Sequence, residues 1–180
     1  ALAGPKGGAV TSGSARISSG GGGVTTIRQR SNRAVIDWQS FDVGTQEAVS
    51  YLQPGQHAAI LNRVTGGAGA SQIDGSLTAN GQVFVLNPDG VVIGETGRIA
   101  SRGGFVASTL DIEDSMFMRG GDLRLSGDGS GAVINRGVIE SEAGDVVLVA
   151  PRIGNFGTLR AKAGTAALGA GTAAWLRPAD

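Results

Sequence analysis

NRGVIESEAGDVVLVA (Asn135–Ala150) is followed by NFGTLRAKAGTAALGA (Asn155–Ala170) at an offset of 20 residues. Asn, Gly, Ala, Gly, Leu and Ala recur at matching places, and Ile139 answers to Leu159. An offset of 40 residues finds an earlier copy: Gly97, Ile99, Ser101, Gly104 and Val106 align with Gly137, Ile139, Ser141, Gly144 and Val146. Each unit is a short apolar strand closed by a turn, and strand–turn units repeating near 20 residues are the mark of a solenoid. With strands of about four to six residues, about three strands and their corners fill one such turn. The expected fold is all-β, a parallel β-helix. A leucine-rich repeat has a similar period, but its spaced leucines and helical segments are missing.

Upstream, Ala34–Gly94 is a run of short apolar segments, each closed by a turn. Val35, Ile36 and Trp38 precede Phe41 and Val43; Ala59, Ile60 and Leu61 end at Asn62; Val83–Leu86 end at Asn87-Pro88-Asp89-Gly90, and Val91–Ile93 follow at once. Such runs, bounded by Asn, Pro, Asp and Gly, read as strands. In the Asn87–Gly90 turn Pro88 presets φ at the second position, and Gly90 supplies the permissive backbone that releases the chain.

Residues 1–33 are expected to form an N-terminal cap. Ala15–Ser18 and Val24–Ile27 are short strands around the glycine run Gly20–Gly23, so Val10–Ile27 reads as one hairpin-like unit covering the end of the helix. Residues 34–108 form the core coils. The repeat breaks over 109–130, where Thr109–Arg119 is acidic and bulky. It reads as a loop or short helical excursion that folds Leu110, Ile112, Met116 and Phe117 back onto the coil. Residues 131–176 resume the coils. A solenoid end without a polar cap exposes strand edges, so the chain is read as the front of a longer protein.

Composition narrows the function. Gly is 32 of 180 residues without a Gly-X-Y period, which excludes collagen and fits tight corners between strands. Aromatics are scarce, so the core is aliphatic and the interior narrow. Fifteen basic and fifteen acidic residues cancel, giving no electrostatic pull toward nucleic acid. Absence of cysteine excludes disulfides and thiolate chemistry, and suits passage through a narrow pore as an extended chain. Ala1-Leu2-Ala3 has the A-x-A form of an export-signal cleavage site, a form that also arises by chance in an Ala-rich chain.

A succession of segments now carries a family resemblance: Ile36-Asp37-Trp38 with Phe41-Asp42-Val43, Leu52-Gln53-Pro54, Leu61-Asn62-Arg63-Val64, Ser71–Gly75, Ala79–Phe84, Asn87–Val91, Phe105–Ile112 and Val133–Gly137. In this order they resemble the N-terminal secretion domain of two-partner-secretion exoproteins of the filamentous-haemagglutinin type, and within it the high-molecular-weight adhesin branch. The family usually has Asn-Pro-Asn-Gly; here Asp89 replaces the second Asn, and Asp tolerates the same turn. The resemblance implies a right-handed β-helix with an N-terminal β cap, and export through the periplasm to the surface or medium of a Gram-negative bacterium. It also implies a dedicated outer-membrane β-barrel transporter whose periplasmic POTRA-type domains recognise this region. Asn62, Arg63, Asn87, Pro88, Asp89 and Gly90 fall on the family's marked positions. They either close β-helix corners, contact the transporter, or do both.

Two other classes are weighed. One is a module that itself binds a glycan or host receptor, which an exposed row of aromatics or Asn/Gln along one face would favour. The other is a polysaccharide-cleaving enzyme, which needs two facing carboxylates. Asp111, Glu113 and Asp114 are the only acidic cluster, and they read as a solvated loop. Ser126–Gly131 is similar to calcium-binding glycine repeats but is a single copy without the apolar anchor, so it reads as a turn. His57, the only histidine, sits in a turn without a nucleophile motif, which leaves a catalytic triad or zinc site unsupported. Trp38 and Phe41 read as packing residues joining cap to coil rather than a sugar platform. The expectation is a monomeric, non-enzymatic secretion domain without metal or cofactor.

Overall fold

The computed structural model describes residues 4–178; the Ala1–Ala3 motif lies outside them. The chain enters through β1 (Ala9–Ser12) and β2 (Ala15–Ser19), and after the glycine turn continues through β3 (Val24–Gln29) and β4 (Arg33–Trp38). β5 (Ala48–Leu52), β6 (Ala59–Val64) and β7 (Ser71–Ile73) form a full coil, and β8 (Ser76–Ala79), β9 (Gln82–Leu86) and β10 (Val91–Ile93) form the next. β11 (Arg98–Ser101) and β12 (Gly104–Ser108) begin a coil that is interrupted by α1 (Asp114–Arg119) and β13 (Leu123–Ser126) before β14 (Ala132–Asn135) closes it. β15 (Val138–Ser141), β16 (Val146–Ala150) and β17 (Arg152–Asn155) follow, then β18 (Thr158–Ala161), β19 (Ala166–Ala170) and β20 (Ala173–Leu176).

Each coil visits three sheets in turn. The first sheet stacks β2-β3-β5-β8-β11-β15-β18, the second β1-β4-β6-β9-β12-β16-β19, and the third β7-β10-β14-β17. The coils pair in parallel; among the described strands β1 on β4, β2 on β3 and β13 on β20 pair antiparallel. This is the expected parallel β-helix, about six turns long. The cap is more divided than a single hairpin. β1 adds to the second sheet, β2 adds to the first, and β3 already lies in parallel register with β5. Trp38 and Phe41 meet edge to face at 5.6 Å beneath this cap. The N-terminal segment crosses the indole so closely that a Cβ on Gly8 would lie 2.5 Å from the ring.

The 20-residue repeat is the true register of the last coils: Ile139 faces Leu159 and Asn135 faces Asn155. The 40-residue offset is one coil plus the inserted excursion. It aligns Ile99 with Ile139 and Ser101 with Ser141, but in the second sheet Phe105, not Val106, faces Val146. Corners stack with little room. A Cβ on Gly144 would collide with the carbonyl of Gly103 on the coil before, so this corner tolerates only glycine.

The apolar interior has two parts, and the second is the excursion folded back onto the coil as expected. The inward side chains of all three sheets form one apolar column, including Ile36, Ile60, Val83, Phe105 and Leu148. The outward side chains of the second sheet form another with the excursion: Val35, Leu61, Phe84, Leu86 and Val106 pack against Leu110, Ile112, Phe117, Leu123 and Leu125. Phe84 and Phe117 meet edge to face at 5.3 Å. Arg33 lies over the Phe117 ring and donates to the Phe117 carbonyl at 3.0 Å. A sheet buried on both faces needs continuous apolar runs rather than alternation, which is why Ala59–Leu61 and Val83–Leu86 read as unbroken hydrophobic stretches.

Candidate functional site

Asn62 does not end its strand. β6 runs through it to Val64, and period two sends Asn62 inward and Arg63 outward. Asn62 is fully buried. Its Oδ1 accepts from Trp38 Nε1 at 3.0 Å and from the Tyr51 hydroxyl at 2.9 Å, and its Nδ2 donates to the Phe84 carbonyl at 3.0 Å. An indole N–H and a phenol in an apolar column each require a partner, and Asn62 serves both. Burial holds the Tyr51 phenol well above its ordinary value of 10.0, opposed only by the bond to Asn62. A group whose folded pKa is raised contributes stability that is present below its unfolded pKa and lost as pH rises toward the folded value. The melting temperature should therefore decline above pH ~10, and Tyr51→Phe should flatten that decline in a pH series of thermal melts.

Arg63 reaches the excursion. Its guanidinium bonds Asp111 at 2.8 Å, Asp114 at 2.7 Å, Asp37 at 3.1 Å and the Ile112 carbonyl at 2.8 Å. Burial opposes its charge, but Asp111 and Asp114 outweigh that and raise its pKa further. The acidic cluster is solvated, as expected, but it is also a clasp for the excursion: Asp111 and Asp114 both pair with Arg63. Arg63→Ala should cost about 1–3 kcal/mol, less than a fully buried pair because the acids are partly in water. Hydrogen exchange should then speed up in α1 and β13 while the first sheet stays protected. Unchanged exchange in the excursion would show that the apolar contacts alone hold it.

Asn87 does close a corner, between the second and third sheets. Its Nδ2 donates to the Gly69 carbonyl and Ser71 Oγ, both at 3.0 Å, its Oδ1 accepts from the Asp89 N–H, and its carbonyl accepts from the Gly90 N–H. Gly90 has φ +125°, where a side chain is strained. Asn87 and Gly90 are buried, whereas Pro88 and Asp89 are exposed at the tip. The six marked residues therefore occupy different places: Asn62 lies inside, Arg63 under the excursion, and 87–90 at a corner with two residues in solvent. Ser126–Gly131 is the limb by which the excursion returns to the coil, and the Gly131 N–H donates to the Pro88 carbonyl at 3.0 Å.

Several polar positions carried no signal in the sequence. Gln53 Nε2 donates to Gln29 Oε1 at 3.0 Å, and its Oε1 accepts from the Gly81 N–H at 2.8 Å. Ser101 and Ser141 continue this internal line, each accepting from a glycine N–H at its corner. Only the serines recur at repeat spacing, so only they were recoverable beforehand. Phe156 and Trp175 are the exposed aromatics among the described residues and lie on separate elements, so no aromatic row is formed. His57 is exposed at a corner.

The fold and the site define the class of capped parallel β-helices with an excursion clasped to one face. The family model described as TPS secretion domain matches residues 1–177, and the chain belongs to that family. Two matched relatives are the heme/hemopexin-binding proteins of Haemophilus influenzae. One is 50% identical over 88 residues, covering 49% of this chain and 9% of that protein. The other, from strain Rd, is 45% identical over 109 residues, covering 61% of this chain and 12% of that protein. The HMW1 secretion domain from Haemophilus influenzae superposes with a TM-score of 0.86 at 34% identity, covering 94% of this chain and 45% of that one. The filamentous hemagglutinin secretion domain, at TM-score 0.51 and 17% identity over 82% of this chain and 56% of that one, shares the fold. Exoproteins of this family cross the periplasm and the outer membrane with a dedicated outer-membrane transporter.

Proposed function

We propose that this domain is the segment an outer-membrane transporter recognises through its periplasmic POTRA-type domains, and that it then nucleates β-helix folding at the cell surface. The observation that carries the reading is the polarity of the solenoid. Its first coils are closed by antiparallel strands and held by the Asn62 and Gln53 networks. From there each strand lies in parallel register on the one before, as Leu168 does on Leu148. In such a ladder a coil, once folded, is the template for the next coil to emerge. At a net ~0.05–0.15 kcal/mol per residue, a 20-residue coil locks in roughly 1–3 kcal/mol, enough to bias an emerging chain against sliding back. Folding then supplies the outward pull without nucleotide hydrolysis.

The test is a fusion of this domain to a periplasmic reporter, expressed with and without the transporter. The reporter should reach the medium only when both are present. Equal release without the domain, or without the transporter, would remove the targeting role.

A further inference from the structure

After β19 the chain leaves the coil. The 20-residue offset would place Ala173–Leu176 above Ile153–Phe156, as the next strand of the third sheet. The order of that sheet ends at β17, and β20 pairs instead with β13 of the excursion. Two residues depart from the repeat here. Asn135 and Asn155 stack, Nδ2 of the first donating to Oδ1 of the second at 3.0 Å, and the next position of this column is Trp175. An indole is far bulkier than an amide and offers a donor but no acceptor. Gly97, Gly137 and Gly157 recur at the corner between the third and first sheets, where a Cβ would collide with the carbonyl of Ile73, Gly97 and Gly137 respectively. The next position of that column is Arg177.

Both residues are accommodated on the excursion. Leu176 lies opposite Leu123 and Ala174 opposite Leu125, and both pack against the apolar cluster under the excursion. Period two turns Trp175 the other way, opposite Arg124 and 57% exposed. Arg177 pairs with Asp122 at 3.6 Å on the surface. Among the described residues, the other ladder partner of β13 is a single bridge, Ser126 to Asp111. β14–β19 lie between β13 and β20 in sequence, and only Gly171 and Thr172 link β19 to β20. The strand therefore reaches β13 only when β19 is stacked on β16.

We propose that β20 is a strap that locks the excursion onto the coil, and that Trp175 and Arg177 are the positioning residues that keep it out of the third sheet. The excursion of one coil is thereby fixed by a strand that arrives two coils later. Opening of the strap should free α1 and β13 as one local unit and leave the first coils intact.

Native-state hydrogen exchange of the whole domain tests this. Trp175→Asn with Arg177→Gly restores the repeat and should transfer β20 to the outer edge of β17. Exchange at Leu123–Ser126 should quicken about tenfold while β17 becomes more protected. Leu176→Asp removes the apolar anchor without repairing the repeat, so it should quicken α1 and β13 and leave β17 as it was. The absence of native cysteine allows an independent readout. Ser126→Cys with Ala173→Cys, directly opposite in the ladder, should oxidise to a disulfide, and its yield should fall sharply once Trp175→Asn and Arg177→Gly are added. Unchanged exchange of β13 in both variants would overturn the strap. Loss of protection in β13 without a gain in β17 in the restored variant would overturn the role of Trp175 and Arg177. Equal quickening in β5 and β6 would overturn a separate closure, since the domain would then open only as a whole.

Discussion

Asn62→Ala should lower the unfolding free energy by about 3–5 kcal/mol. The substitution leaves the Trp38 indole N–H, the Tyr51 hydroxyl and the Phe84 carbonyl without partners in a column sealed from water. Each orphaned group costs about 1–3 kcal/mol, and costs within one network do not simply add. For a domain of this size the melting temperature should fall by roughly 8–15 °C. Asn62→Leu separates bonding from packing. It refills the volume but restores none of the bonds, so it should remain nearly as destabilised as the alanine variant. Recovery to near wild-type stability in Asn62→Leu would mean that the site needs bulk rather than an amide. Thermal melts and urea titrations of both variants, with Tyr51→Phe to complete a double-mutant cycle, give the answer.

Asn87→Ala should have the second largest effect, felt in both fold and export. Its side chain ties the corner to the coil before through Gly69 and Ser71, and shapes the turn through Asp89. Buried as it is, its loss should cost about 2–4 kcal/mol, more than an exposed cap residue. The domain should still fold, since the strands on either side keep their ladder partners. The secreted fraction should fall at least tenfold, because the same side chain presents Pro88 and Asp89 to solvent. Ser71→Ala serves as the control: it loosens the corner but leaves the tip bonded. If both variants lose secretion in proportion to their loss in melting temperature, Asn87 acts through stability alone. If Asn87→Ala is secreted at the wild-type level, the turn has no part in recognition.

The contrast between these two asparagines shows how far local chemistry reaches. Asn87 is followed by Pro and Gly, and that turn signal holds in the fold. Asn62 is followed by Arg63 and Val64, and the strand continues through both. The end of the apolar run at Leu61 looked like a boundary, but it marked a polar side chain taken into the interior. The fading of the repeat toward the N-terminus has a similar local cause. Ala48 pairs with Ser76 and Ser76 with Arg98, so the early coils carry longer corners than the last ones. Sequence offsets there no longer report register.

The sequence by itself determined the coiling, its period in the last coils and the Asn87–Gly90 corner, because strand periodicity, turn residues and a constant repeat are properties of neighbouring residues. It also pointed to an excursion after Ser108, because bulky acidic residues cannot stack as a coil. Only the tertiary structure decided that β13 pairs with β20, that the second sheet is buried on both faces, and that Arg63 gathers Asp37, Asp111 and Asp114. Those contacts join residues far apart along the chain. Their partners are chosen by which surfaces remain uncovered once the coils have stacked, and no local pattern records that choice.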